Sequence, residues 1–350
     1  MASRAPRPAL VNGGYIAGFW YDHVFFVLAP LLALLVGLAA VALGGYGVRL
    51  SARSDEGRLL QVALPTYLSA AFTHAHLLAV VFRSHANPRI FAAHRLRFTL
   101  VPAALLAAMV LSRWAFVLAS VAVVWWDVYH SSLQTFGLGR LYDQRHGNDP
   151  HAGRGADLLF NLLIYVGPVV AGAHLAPHLA AFARFEDVGA PAPAALAAAL
   201  LAHHDAVQRL VLGLGLPGVA LYVWHYARLS RAGYRVPAPK VALFAATALC
   251  SVAAWGFGSF GEAFLIMNFF HAWQYVALVW WVEKGSLAAR LGGSWPLALG
   301  AFVGVTLAYG LWRAWEPWHV RFTVALGNVV SLMHFWYDGF IWSVRKRQVP

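Results

Sequence analysis

The chain has 350 residues, 60% of them hydrophobic and 11% charged, where a soluble domain carries roughly a quarter charged residues. That balance excludes an aqueous globular domain and points to one integral-membrane domain spanning 1–350, because apolar stretches long enough for about 30 Å of hydrocarbon recur along the whole length. The formal charge of +12 sits in short clusters between apolar runs, the pattern of cytoplasmic loops, so no nucleic-acid partner is expected.

In chain order the apolar runs predict an all-α, polytopic transmembrane bundle of about ten spans. They lie at 24–44, 61–82, 98–112, 114–136, 157–180, 208–228, 240–260, 261–283, 295–312 and 321–343. The opening MASRAPRPALVNGGYIAGFWYDHVFF lacks a compact apolar core followed by a small-residue cleavage site, so no cleaved signal is expected. The third and fourth spans, and the seventh and eighth across GFGSFGE, read as tight hairpins. Between the fifth and sixth, GAPAPAALAAALLAHHD reads either as a short interfacial or re-entrant helix or as a loop. The single Cys250 forms no internal disulfide.

Charge sets the orientation. With the N-terminus inside, 18 of the 26 basic residues fall on the cytoplasmic side, among them Arg4, Arg7, Arg345, Lys346 and Arg347. The other face receives Arg49, Arg53, Arg58, Arg113, Arg184, Arg209, Arg313 and Arg321. Both termini are therefore expected in the cytoplasm, for a multi-pass protein of the bacterial inner membrane.

Four spans carry ionisable groups at membrane depth, where such groups are costly unless paired or functional. The second holds His74 and His76, and the fourth holds Asp127, His130 and Gln134. The eighth holds Asn268, His271, Gln274 and Tyr275, and the tenth His334 and Asp338. The four spans run in the same direction, which puts His76, His130, His271 and His334 about 9 to 18 Å below the cytoplasmic end of their helices. They form one layer.

Imidazole is the commonest protein metal ligand, and its second ring nitrogen is usually oriented by a carboxylate or carbonyl. The layer predicts a metal on His76, His130, His271 and His334. Asp127 and Asp338 are expected to set ligand tautomers, Gln134, Gln274 and Asn268 to orient ligands or bound water, Tyr275 to share the catalytic face, and Asn268 also to contact substrate. His74 and His76 are about 200° apart on a helix; His76 is favoured because it shares a face with Thr73 and Arg83. Arg83 and Arg140, at the cytoplasmic rim, are candidates to hold an acidic head group. The competing reading is that each histidine is an interhelical strut. His174, His178, His203, His204 and His319, on the far side, and His85, His94, His146 and His151, in cytoplasmic loops, are expected to be solvated. The pairs Trp125-Trp126 and Trp280-Trp281 read as packing or interfacial belt.

No phosphate loop, C-x-x-C, H-E-x-x-H or nucleophile elbow is present, nor the clustered H-x-x-H-H boxes of membrane desaturases. The set HAHLLAVVFRSH, YHSSLQTFGLGRLYD, FHAWQY and HFWYDGFIW, with isolated histidines on separate spans and MHFWYD in the last, resembles the Brp/Blh carotene-cleaving dioxygenases. It also looks like bacterial multi-histidine membrane proteins of unassigned function. The resemblance covers about sixty residues, lacks a PHGALD-like opening motif, and implies a histidine-ligated, non-haem intramembrane iron.

The expectation is thus an O2-dependent metalloenzyme acting on a lipophilic small molecule or lipid, with iron as cofactor and copper, zinc or haem as alternatives. One rival is a haem electron-transfer protein with paired axial histidines. The other is a proton-coupled transporter using the same His/Asp layer, a reading for which Pro30, Pro65, Pro102, Pro168 and Pro217 offer breaks in the spans.

Overall fold

Proline, glycine and serine punctuate the apolar runs into helices. The computed structural model describes residues 11–44, 49–53, 59–315 and 321–342. Arg4, Arg7, Arg58, His319, Arg345, Lys346 and Arg347 lie outside the described residues.

The chain enters through α1, Phe19–Asp22, which runs on as a π-helical turn, His23–Val27, and then bends by 53° into α2, Ala29–Ala42. A short antiparallel hairpin follows, β1 Arg49–Arg53 against β2 Leu59–Ala63, with Arg49 opposite Ala63 and Arg53 opposite Leu59. This corrects the all-α reading locally: the second span starts at Leu64, where Pro65 occupies the first helical turn and needs no N–H partner. Then come α3, Leu64–Ser84; α4, Pro88–Leu111; and α5, Arg113–Arg145. The third span is thereby longer than expected, because Pro88 and the Asn87 side-chain cap start the helix early; it breaks once, at His94.

Next are α6, Arg154–Ala171; the short α7, Leu175–Leu179; a 3₁₀ stretch, Ala180–Val188; and α8, Ala192–Ala202. The Ala/Pro-rich piece is therefore a helix, and at about 16 Å it is too short to cross a bilayer. The remaining helices are α9, His204–Arg231; α10, Ala238–Phe257; α11, Phe260–Arg290; α12, Trp295–Trp315; and α13, Arg321–Ile341. Ser259 and Glu262 form a capping box that starts α11 with only Gly258 and Ser259 between it and α10, giving the expected tight hairpin. Pro30 sits in a first turn, like Pro65, whereas Pro102, Pro168 and Pro217 lie inside helices.

Among the described residues eight helices are long and apolar enough to cross a membrane, or nine if the bent pair counts as one span. This is a multi-pass helical membrane protein. The 21-residue α13 is long enough but carries Asn328, Ser331, His334 and Asp338, which hold its composition below that of a lipid-facing span. It can be polar because it is interior: α13 packs on α3, α4 and α5, while α11 is mostly buried and α9 faces outward. Close approach of α3 and α12 depends on Gly310, where a Cβ would collide with the Ala71 carbonyl oxygen. Tight packing of α3, α5, α11 and α13 brings their polar faces together.

Candidate metal centre

Each of α3, α5, α11 and α13 delivers one buried imidazole to the same point. His76 and His334 are fully buried, His271 and His130 nearly so. Ring centroids are 4.9 Å apart for His76 and His271, 5.1 Å for His76 and His334, 5.2 Å for His130 and His271, and 4.8 Å for His130 and His334. The expected layer is therefore a cluster in which each ring touches two others.

Two donor sets share His334. His76, His271 and His334 can present one nitrogen each within 4.8 Å of one another, and so can His130 and His334 with an Asp338 oxygen. The His130 and His334 Nε2 atoms are 3.1 Å apart. That separation matches the edge of a coordination polyhedron with metal–nitrogen bonds of about 2.0–2.1 Å, roughly 3.0–3.4 Å.

Asp338 is split in function. Its Oδ1 accepts from the Tyr275 hydroxyl at 2.8 Å and from Trp342 Nε1 at 2.8 Å. Its Oδ2 is turned toward the cluster, 3.7 Å from His130 Nε2 and 3.9 Å from His334 Nε2. These distances are too long for the hydrogen bond expected to fix the His334 tautomer, and they suit a carboxylate held ready at the edge of the site. Trp342 was not singled out from sequence, although its place four residues after Asp338 on the same helical face was a usable signal.

The glutamines brace the cluster. Gln134 Nε2 donates to the His271 carbonyl and to Gln274 Oε1, both at 3.0 Å, and Gln274 donates to the Phe26 carbonyl at 2.8 Å. The last bond occupies an acceptor in the π-helical turn before the bend. Asn268 instead turns back on its own helix, donating to the Phe264 carbonyl at 3.0 Å.

Several expected roles are corrected. No hydrogen bond joins Asp127 to His130 among the described residues; the carboxylate beside His130 is Asp338, which α13 brings in from the far end of the chain. His74 belongs to neither donor set, as the helical angle between it and His76 requires. Arg83 is buried, bonded to Glu283 at 2.5 Å and to the Ile341 carbonyl at 3.2 Å, so it is no receptor for an acidic head group. Arg140 is equally committed: it pairs with Asp143 at 2.6 Å and Asp157 at 2.8 Å, while Lys240 bonds the same two carboxylates at 2.8 and 2.7 Å. His174 and His178 are buried rather than solvated, with hydrogen bonds to the Gly258 and His174 carbonyls. His94 lies within α4 and not in a loop. Trp125 packs near His178 and Phe182, and Trp280 on Phe302, in keeping with packing roles.

The cluster combines crowded imidazoles with ring nitrogens that hydrogen bonds do not fully occupy. Both ring nitrogens of His271 are buried without a hydrogen bond, whereas the Thr73 backbone lies against His76 and the Leu77 backbone against His334. An unpaired buried polar group costs about 1–3 kcal/mol, a cost His271 bears until a ligand occupies its nitrogens. Converging imidazole lone pairs with a carboxylate oxygen at their edge can hold a metal ion. Neither a family model, nor a curated protein, nor a solved structure matches this chain.

Proposed function

We propose that the chain is an integral-membrane oxidoreductase that holds iron on His76, His130, His271 and His334 and uses O2 to oxidise a lipophilic substrate. The carrying observation is four buried imidazoles packed ring on ring, with Asp338 at their edge and both His271 nitrogens unbonded. In this reading ten spans cross the bacterial inner membrane with both termini in the cytoplasm, α1 and α2 together forming the first and α13 the last. Imidazole-rich sites suit iron, copper and zinc; iron is preferred because O2 and apolar substrates concentrate in the bilayer, and bound iron supplies the redox chemistry that O2 requires. The chain's own residues surround that chemistry. Asp338 is oriented by Tyr275 and Trp342, Gln134 and Gln274 fix the α11 backbone at His271, and the apolar surroundings exclude water.

A haem is disfavoured by the crowding. Two axial nitrogens on one iron stand about 4 Å apart with a macrocycle between them, whereas His130 and His334 Nε2 atoms face each other at 3.1 Å with two more rings packed against them. The transporter reading keeps one supporting observation, the 53° break between Val27 and Ala29, whose Phe26 carbonyl is linked through Gln274 and Gln134 to the backbone of His271.

Elemental analysis and an absorption spectrum of detergent-purified protein test the proposal. The expected result is stoichiometric iron without a Soret band. Protein that is metal-free as purified and takes up no Fe(II) on anaerobic reconstitution would overturn it.

A further inference from the structure

A cavity of about 460 Å³ opens at the opposite end of the same helices. Arg113 begins α5, Arg321 begins α13, and Arg184 and Asp187 belong to the 3₁₀ stretch; all four line the opening and leave two positive charges in excess. In the proposed topology, these arginines are three of the eight basic residues on the non-cytoplasmic face, where basic residues are otherwise sparse. Arg113 and Arg184 are exposed and have no ion pair with any described residue. Arg321 spends one nitrogen on the Met109 carbonyl at 2.8 Å, and its Nε is buried without a partner.

Below the arginines the walls turn apolar, through Phe116, Val117, Val123, Val124 and Val324, interrupted by one polar pair in which Asn328 donates to Ser120 at 3.0 Å. The innermost lining residues are Val124 on α5 and Asn328 on α13. Each precedes a histidine of the cluster, His130 or His334, by six residues, or about 9 Å along the helix axis. The cationic rim and the apolar lining thus lie on the same two helices as His130 and His334, with the lining ending about 9 Å short of them. The volume lies within the range of ligand pockets, about 300–1,000 Å³.

We propose that this cavity binds a single-chain amphiphile with an anionic head, a carboxylate or a phosphate monoester. The head is held by Arg113, Arg184 and Arg321, and the chain points along α5 and α13 toward the histidines. The inference rests on the metalloenzyme reading for the identity of this amphiphile as substrate, but not for its binding. Arginine suits such a head because its planar fork can pair both oxygens of a carboxylate or phosphate. An anchored head would set which carbons of the chain reach the cluster.

Radiolabelled palmitate binding to full-length protein in non-ionic detergent tests this, with four competitors. Hexadecyl phosphate should displace palmitate; hexadecanol, which keeps the chain and loses the charge, and inorganic phosphate, which does the reverse, should compete at least tenfold less well. A two-chain phosphatidylglycerol should also compete poorly; equal competition would make the cavity a bulk-lipid contact and overturn the proposal. Arg113→Gln combined with Arg184→Gln, both exposed positions, should weaken palmitate by about tenfold, and Val124→Phe should weaken it by filling the shaft. Equal binding of hexadecanol, or unchanged binding in both variants, would overturn the proposal. Palmitate binding retained in His334→Ala, with metal lost, is the expected result and separates the cavity from the metal; if wild-type protein proves metal-free, the same assay still decides the cavity.

Discussion

Two polar regions are buried in this bundle, and they differ in how completely their atoms are satisfied. Where the C-terminal end of α5 meets the N-terminal ends of α6 and α10, the cations of Arg140 and Lys240 face the carboxylates of Asp143 and Asp157. Tyr222 and Tyr226 donate to Asp157 at 2.9 and 2.6 Å, Tyr234 donates to Asp143, and the Arg140 guanidinium also reaches the Ala152 and Pro150 carbonyls at 3.0 Å each. Charges cancel and the donors have acceptors. The histidine cluster, equally buried, leaves both His271 nitrogens without a hydrogen bond. A closed polar network ties helices together, while an open one in a dry site stays unstable until something binds.

The comparison can be broken by experiment. The largest effect is expected from His334→Ala, since His334 belongs to both donor sets: bound metal should fall to background while the bundle still folds. Retained metal would place the site elsewhere. Lys240→Met should do the opposite. Leaving Asp143 and Asp157 with one cation fewer should destabilise the bundle by about 3–5 kcal/mol, read as a loss of folded protein on heating, while the folded fraction keeps its metal.

A smaller effect separates the two carboxylates. Asp338→Asn should weaken metal binding by about 10- to 100-fold, the usual range for a group that orients or supplements ligands. Asp127→Asn should leave it unchanged; equal losses in a chelator titration would restore Asp127 to the site. The smallest effect is expected at Gln134→Ala, which removes the bridge between α5 and α11 and should cost about 0.6 kcal/mol, typical of a hydrogen bond in a membrane protein.

Position along a helix was legible in the sequence. Apolar run length located the helices, and counting residues from the run ends put His76, His130, His271 and His334 in one layer, because rise per residue is constant. Helical periodicity also separated His74 from His76, and α3 turned His76 inward. Local chemistry overrode run length at the ends, where Asn87 and Pro88 lengthened α4 and Pro65 delayed α3.

Neighbours across helices were not legible. Nothing in YHSSLQTFGLGRLYD says that the carboxylate at His130 comes from residue 338 rather than from Asp127, or that Arg140 finds Asp157 and Lys240 finds both acids. Nor could the arginine-rimmed cavity be seen, since Arg113, Arg184 and Arg321 are 71 and 137 residues apart in sequence and meet only because α5, the 3₁₀ stretch and α13 pack side by side. The sequence by itself determined which groups are buried at which depth, through the cost of exposing backbone and charge to hydrocarbon. Tertiary structure decided which of those groups are already satisfied and which remain open, because side-chain packing selects the lateral order and rotation of the helices.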